Sequence, residues 1–223
     1  MRDDRHVPAQ PASPLFFFGA MSPYSWFAAE RIGRLLPEAR WRGVFAGAIF
    51  KANGRVSWGL TEQRADGMAD CEARARAHGL GPIRWPEPWP TSDLLIARAM
   101  TFAERAGAAP QGGAVGDSAA AYTAHGGAKA LALAAMRLAF LDGADIGEEG
   151  VVLEAGRRAD LRAEELRDAL SDAGVKDSLR HATDDALALG VFGVPTIVIG
   201  EELFWGDDRL DDAVAAHRLA PGG

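Results

Sequence analysis

The stretch Phe16-Phe-Phe-Gly-Ala-Met-Ser22-Pro-Tyr-Ser25-Trp-Phe27 decides the fold of this chain. Its first residues belong to a short apolar run that is typical of a strand covered on both faces. Gly19 ends the run, and Ser22 followed by Pro23 supplies the two residue types that favour a helix start. A strand that delivers a hydroxyl to the first turn of a helix makes a natural anion site. The stretch therefore predicts a pair of elements and a candidate site.

Composition limits the class of protein. The 223 residues are 48% hydrophobic with a net charge of −7, which suits one domain with an insertion and argues against nucleic acid as a partner. No apolar run approaches the roughly 18 residues of a membrane span, so no membrane partner is expected. Residues 1–13 predict a disordered tail and not a signal peptide. The single cysteine, Cys71, excludes an intramolecular disulfide and a cysteine-based zinc site, and no metal site is expected. A cytoplasmic protein is the simplest expectation.

The order of predicted elements indicates the fold class. A second strand is predicted at 41–45, and a block from about 61 to 176 has helical patterns at 61–78, 92–105, 127–141, 149–155 and 163–173. The Gly/Ala-rich loop 106–118 within this block is expected to be mobile. After the block the pattern predicts a helix at 177–189, a strand within 191–199, a Gly200-Glu201 turn, a strand at 203–205 and a helix at 209–217.

Without the block, the elements follow the order βαβ–αββα, which is the thioredoxin arrangement. The sequence therefore predicts an α/β protein with a thioredoxin-like fold and a large helical insertion. Residues 14–58 and 177–219 are expected to form a discontinuous thioredoxin-like domain, and residues 59–176 an inserted helical domain.

The turn after the first strand is the reactive site of the thioredoxin arrangement. Redox proteins carry Cys-x-x-Cys there, whereas this chain has Ser22-Pro-Tyr-Ser25, so dithiol exchange at this turn is excluded. A hydroxyl at a helix N-terminus favours a bound anion, a thiolate included. Helix capping, worth about 1 kcal/mol, explains Ser22 equally well, and one hydroxyl can serve both roles.

Two motifs of the second half have a structural and a functional interpretation. Only about 5% of X–Pro bonds are cis, so local sequence favours a trans Val194–Pro195 bond. The thioredoxin arrangement instead places Pro195 opposite the first helix, where a cis bond leaves the Val194 backbone free to pair with a bound peptide. Asp207 and Asp208 are explained by helix capping, or by binding an α-ammonium group.

Other candidates are less specific. Lys51 is most simply a solvated charge, and it holds a carboxylate only if its loop folds over the site. Trp85 and Trp89 either fill the core, which is favoured, or form a wall for an aromatic substrate. Cys71, in the middle of a helical pattern, is expected to be a buried small hydrophobe.

Together these motifs resemble those of a known family. Ser-Pro-Tyr-Ser-Trp, Gly47-Ala-Ile-Phe-Lys51, Val-Phe-Gly-Val-Pro-Thr and Phe204-Trp-Gly-Asp-Asp-Arg-Leu210 resemble the 2-hydroxychromene-2-carboxylate isomerases. They are also similar to the kappa-class glutathione transferases, which share the DsbA-like fold. The resemblance covers residues 15 to about 216. It departs from the family pattern at Gly19, where an Asp is usual, and at Arg55, where an Asn is common. The stretch Pro90-Thr-Ser-Asp93 also lacks the Asn that is often found after the proline-rich loop.

The resemblance implies that glutathione is the cofactor. Ser22 would hydrogen-bond its sulfur and favour the thiolate, and Val194, before Pro195, would pair with its cysteinyl backbone. Asp207 and Asp208 would hold the γ-glutamyl end. Trp205, Gly206 and Lys51 complete the expected set of glutathione-binding residues.

The expected function is therefore that of a glutathione-dependent isomerase, in which the thiolate adds to a small aromatic-derived electrophile. Family members are typically homodimers. A kappa-like glutathione transferase that releases the conjugate is one alternative. A non-catalytic thioredoxin-like binding module, in which Ser22 only caps the helix, is another.

Overall fold

The computed structural model describes residues 13–108 and 126–219. The predicted tail, apart from Ser13, and most of the predicted mobile loop lie outside these residues. In this part of the chain the elements are β1 (Leu15–Phe18), α1 (Pro23–Leu35), β2 (Arg40–Gly43), α2 (Ala46–Ala52), α3 (Arg64–Ala77), α4 (Leu94–Ala108), α5 (Gly126–Phe140), α6 (Glu149–Arg158), α7 (Ala163–Ser171), α8 (Ala173–Ala188), β3 (Thr196–Ile199), β4 (Glu202–Trp205) and α9 (Leu210–Leu219). Short 3-10 turns occupy Trp58–Leu60 and Asp207–Arg209.

The four strands form one mixed sheet in the order β2-β1-β3-β4. β1 runs parallel to β2 and antiparallel to β3, and β3 pairs with β4 through a hairpin. Gly200 has φ +59° in the hairpin turn, which supports the predicted turn with glycine first. The predicted fold class, a thioredoxin-like fold with a helical insertion between β2 and β3, is confirmed.

Helices cover both faces of the sheet, which explains the unbroken apolar run of β1. Phe16 and Phe18 pack into the larger core cluster with α1, whereas Phe17 points to the other face and packs with Val198 and Val44. Successive side chains of a strand alternate between faces, so a strand buried on both sides is apolar throughout.

The inserted helices share the larger of these cores. The Trp26 ring of α1 lies 5.6 Å from that of Phe140 of α5, and Leu131, Met136 and Ile146 belong to the same buried cluster. The first strand and the insertion are thus held by one continuous apolar interior. The two proposed domain boundaries stay a prediction.

Two predictions about elements need correction. Lys51, expected in a loop, lies in a helical turn, because residues 46–52 form α2. The strand predicted within 191–199 is present as β3, which begins at Thr196 because Val194–Pro195 precedes the ladder and proline lacks the N–H that a central strand donates. α8 begins at Ala173 and not at 177, because the Asp172 side chain accepts from the Val175 N–H at 2.7 Å and caps it.

No helix within residues 13–108 and 126–219 is both long and apolar enough to cross a membrane.

Candidate active site

Ser22 lies where β1 passes into α1, in a tight turn. Its backbone N–H donates to the Gly19 carbonyl oxygen at 3.1 Å, which closes the turn. The Ser22 Oγ accepts from the Ser25 N–H at 3.2 Å, and Pro23 occupies the first helical position. Ser22 therefore caps α1 as predicted, and its hydroxyl hydrogen remains available to a ligand because the cap uses only an oxygen lone pair.

A cavity of about 620 Å³ opens beside this turn. Its walls come from the start of α1, from α2 and the segment after it, and from the proline-rich segment before α4. Four residues predicted from the sequence, Ser22, Lys51, Val194 and Trp205, line it together. The volume falls within the range of roughly 300–1,000 Å³ that is usual for small-molecule sites.

Val194 brings the second half of the chain to the cavity. The Val194–Pro195 bond is cis, and Val194 lines the same cavity as Ser22. The Pro195 carbonyl oxygen accepts from the Gly206 N–H at 3.0 Å. Neither Pro195 nor Gly206 belongs to the cavity lining. Ser22 and the cis Val194–Pro195 bond therefore meet at one cavity, and the roles of Pro195 and Gly206 in ligand binding stay predictions.

One side of the cavity carries two cationic side chains. Lys51, in the last turn of α2, is exposed, and Arg55 follows it in the segment after that helix. The Arg55 guanidinium lies 4.8 Å from the Trp205 ring centroid and donates to the Phe192 carbonyl oxygen at 3.3 Å. These contacts hold Arg55 at the rim, so this side of the cavity suits an anionic group.

Another wall is aromatic. Trp58 and Trp89 line the cavity, and their ring centroids lie 4.8 Å apart. The Trp85 ring centroid lies 4.6 Å from that of Trp89, but Trp85 is not part of the cavity lining. Trp89 is only 4% exposed and belongs to the larger core. Trp89 therefore belongs to the core and also lines the cavity, whereas Trp85 packs against the core, 6.0 Å from the Phe140 ring. A wall for an aromatic substrate stays a prediction.

Asp93 is a cavity residue that the sequence did not identify as a site. It precedes α4, lines the cavity and is 4% exposed. Its carboxyl accepts from the Ala46 backbone N–H, and its Oδ2 has no hydrogen-bond partner among the described atoms. Burial raises the pKa of this carboxyl to about 7. An aspartate before a helix is ordinarily explained by capping, which is why the pattern alone gave no reason to choose it.

The predicted acidic pair lies outside the cavity lining. Asp207 is 2% exposed, and its two carboxylate oxygens lie 3.0 Å from the Arg74 Nη1 and 3.4 Å from the His78 Nε2. Burial raises the pKa of Asp207, and the Arg74 charge opposes that rise. Asp208 is exposed. The structure thus places the Asp207 carboxylate in an internal ion pair, and the contacts of Asp207 and Asp208 with glutathione stay predictions.

A comparison with protein-family models decides the family. The model of the DSBA-like thioredoxin domain matches residues 15–217. The chain belongs to the DSBA-like family. The match spans the sheet and the helical insertion together. No curated protein matches the chain significantly.

Solved structures agree with this DSBA-like fold. A 2-hydroxychromene-2-carboxylate isomerase is 20% identical with a TM-score of 0.70, covering 92% of this chain and 95% of the other. A probable DsbA oxidoreductase from Streptomyces coelicolor is 19% identical with a TM-score of 0.68, covering 92% and 88%. The cytosolic disulfide reductase DsbM from Pseudomonas aeruginosa, solved with GSH, is 14% identical with a TM-score of 0.58, covering 92% and 97%.

This DSBA-like chain has no reactive thiol at its site. Ser22 and Ser25 occupy the turn, and the single cysteine, Cys71, is buried in α3 as predicted. Burial raises the pKa of Cys71 to about 12, so its thiol is protonated and a poor nucleophile at neutral pH. Any thiol chemistry in the cavity requires a thiol that arrives with a ligand.

Proposed function

We propose that this protein is a glutathione-dependent isomerase of the 2-hydroxychromene-2-carboxylate type. The observation that carries the proposal is one cavity lined by both Ser22, at the start of α1, and Val194, at the start of the second half. A tripeptide thiol that pairs with the Val194 backbone would direct its sulfur towards the Ser22 hydroxyl. Resemblance to a 2-hydroxychromene-2-carboxylate isomerase and to a disulfide reductase solved with GSH supports this ligand.

The residues present fit such a ligand. The Ser22 hydroxyl and the positive end of α1 favour a thiolate over a thiol. When bound, glutathione supplies a nucleophile that adds reversibly to an electrophilic carbon and leaves unchanged. The protein holds the two reactants together and keeps the sulfur ionised, which lowers the barrier by positioning and by electrostatics.

The cavity also suits the second reactant. Lys51 and Arg55 offer positive charge to a carboxylate, and Trp58 and Trp89 offer flat apolar surface to an aromatic ring. The substrate class we propose is therefore a small aromatic-derived electrophile that carries a carboxylate. A homodimer, as in the resembled family, is part of the proposal.

Disulfide reduction is the activity named for one of these structural neighbours, DsbM, and this chain lacks the cysteines for it. The turn carries Ser22 and Ser25 in place of two cysteines, and Cys71 is buried in α3. Because a disulfide exchange needs a thiolate in contact with the partner disulfide, that reaction is excluded at this turn. The choice that remains is among isomerase, transferase and binding module.

The test combines binding and turnover. Calorimetry at millimolar glutathione measures binding, and absorbance follows conversion of cis-benzylidenepyruvate, an aromatic keto acid, in the presence of glutathione. Mass analysis of the product separates the two enzymatic functions, because isomerisation leaves the substrate mass unchanged and transfer adds glutathione. Binding without turnover would identify a binding module. Absence of glutathione binding, with Ser22→Ala equal to wild type, would reject the proposal.

A further inference from the structure

The proposed site needs a group that accepts the thiol proton. Among the described residues that line the cavity, the ionisable ones are Tyr24, Lys51, Arg55 and Asp93. Lysine and arginine side chains are donors without a free lone pair at neutral pH. Burial raises the pKa of Tyr24 well above its usual range, so its phenol stays neutral. Asp93 is the carboxyl of this set and its candidate base.

We propose that Asp93 is the proton acceptor of the cavity, and that its free Oδ2 takes the proton of the bound thiol and later returns it. The inference rests on the proposed function, since it concerns the same cavity and the same thiol ligand. It assigns to Asp93 a step that Ser22 does not perform, because a serine hydroxyl donates a hydrogen bond to sulfur but is too weak a base to take its proton.

The position of the carboxyl supports this role. A β-carbon on Gly19 would lie 3.0 Å from the Asp93 Oδ2 and 3.4 Å from the Val194 Cγ2. Gly19 begins the turn that Ser22 closes, so Oδ2 lies beside this turn, and Val194 is close to the same glycine. The Oδ2 atom is buried, so it would reach the thiol by rotation of the carboxyl about its broad terminal torsion.

The pKa values of donor and acceptor lie close enough for transfer within the site once the site lowers that of the thiol. Burial raises the pKa of the Asp93 carboxyl to about 7, and a free thiol has a pKa of about 8.5, which Ser22 and α1 would lower. The proton leaves sulfur, its bonding electrons stay on sulfur, and the proton binds Oδ2. The site then carries one negative charge before and after the transfer, so a carboxylate and a thiolate never face each other.

Other charged groups near Asp93 must be counted in any pH profile. Lys51 on α2 and Arg55 beyond it bring positive charge to the cavity, and Tyr24 on α1 brings a neutral phenol. Asp145 lies behind the wall and accepts a hydrogen bond from Thr91. Asp93 is thus the carboxyl that shares the cavity with the thiol.

The test is a proton count during glutathione binding. Calorimetry at pH 8 in two buffers of different ionisation enthalpy measures protons released, and ultraviolet absorbance measures thiolate formed. In the wild type we expect thiolate to form without net proton release, because the negative thiolate raises the pKa of the adjacent Asp93 further and Asp93 keeps the proton. In Asp93→Asn we expect either no thiolate or release of one proton for each thiolate. S-methylglutathione, which has no thiol proton, should bind both proteins equally.

The outcomes separate this inference from the function on which it rests. A wild type that does not bind glutathione overturns both. A wild type that binds and turns over, but releases one proton for each thiolate formed, overturns the role of Asp93 alone, as does an Asp93→Asn variant that forms the thiolate without releasing a proton. We also expect Asp93→Asn to lower kcat by about 100-fold and to lose the rise in rate through pH 7. If that variant does not fold, the wild-type proton count decides by itself.

Discussion

The Ser22 Oγ accepts a hydrogen bond from the Ser25 N–H at 3.2 Å while the same side chain lines the cavity. One hydroxyl therefore caps α1 with its lone pair and presents its hydrogen to a ligand. The capping and catalytic interpretations of Ser22 are compatible. Variants that remove one role and keep the other can measure the contribution of Ser22 to stability and to turnover separately.

Ser22→Ala and Ser22→Asp provide that separation. Ser22→Ala removes both functions, so we expect a loss of about 1 kcal/mol in stability and about 100-fold in kcat. Ser22→Asp keeps a good cap but places a negative charge beside the thiolate, so stability should hold while turnover is lost. Thermal unfolding and glutathione-dependent turnover measure the two effects. Full activity in Ser22→Asp would contradict the role of the hydroxyl.

Asp93 gives a dependence of stability on pH. Its folded pKa of about 7 lies above the value of about 3.9 for a free aspartate, so the folded state binds more protons between these values. Stability should therefore fall as pH rises from about 4 to about 7. Asp93→Asn should add up to about 4 kcal/mol at pH 8 and little at pH 4, measured by thermal unfolding. The exposed Asp184→Asn is the matched control, and an equal gain from it would refute the assignment.

Lys51 should recognise the substrate carboxylate. We expect Lys51→Met to lower kcat/KM for benzylidenepyruvate by at least about tenfold, since a charged hydrogen bond contributes about 1.5–3 kcal/mol. At saturating glutathione, the uncharged ketone benzylideneacetone should be turned over at the wild-type rate. Lys176→Met, on the exposed face of α8, is the control for loss of a positive charge. Equal losses on both substrates would mean that Lys51 acts on glutathione, as the resemblance implies, and not on the substrate carboxylate.

Gly67 of α3 fixes the aromatic wall. A β-carbon there would overlap the Trp58 ring, lying 2.6 Å from Cζ3, so Gly67→Ala must displace that ring. We expect a loss of about 1–3 kcal/mol in stability, a changed tryptophan emission and weaker binding of aromatic ligands. Gly33→Ala in α1 meets no atom within 4 Å and should be neutral or stabilising by about 0.5–1 kcal/mol. Unchanged emission in Gly67→Ala would show that Trp58 does not depend on this glycine.

Arg74 should hold the buried Asp207 carboxylate in the fold. Arg74→Met would leave Asp207 with His78 as its neighbour, and we expect a loss of about 2 kcal/mol, reduced from the usual cost because Arg74 is 33% exposed. Arg157→Met, which breaks a surface pair with Glu154, should cost almost nothing. Calorimetry then tests the predicted ligand contact. If Arg74→Met had wild-type stability but bound glutathione much more weakly, the result would indicate that Asp207 binds the ligand and does not stabilise the fold.

Much of the fold followed from local pattern. The apolar run before Gly19 and the Ser22-Pro23 pair signalled β1 and α1 because strand burial and helix capping each depend on neighbouring residues. The local pattern did not predict the helix α2 and placed Lys51 in a loop. Seven helical residues that include a glycine form too short a pattern to be distinguished from a loop. α2 matters to the site, since it carries Lys51 and presents the Ala46 N–H to Asp93.

The sequence by itself determined the order of the elements other than α2, the family resemblance and the serine turn that excludes dithiol exchange. Only the tertiary structure decided which side chains share the cavity and which form internal contacts that stabilise the fold. Asp207 pairs with a residue 133 positions away, and the Asp93 Oδ2 would lie 3.0 Å from a β-carbon on the distant Gly19. Burial and ion pairing between distant segments arise when the insertion packs on the sheet, and neither leaves a periodic or short-range signal in the chain.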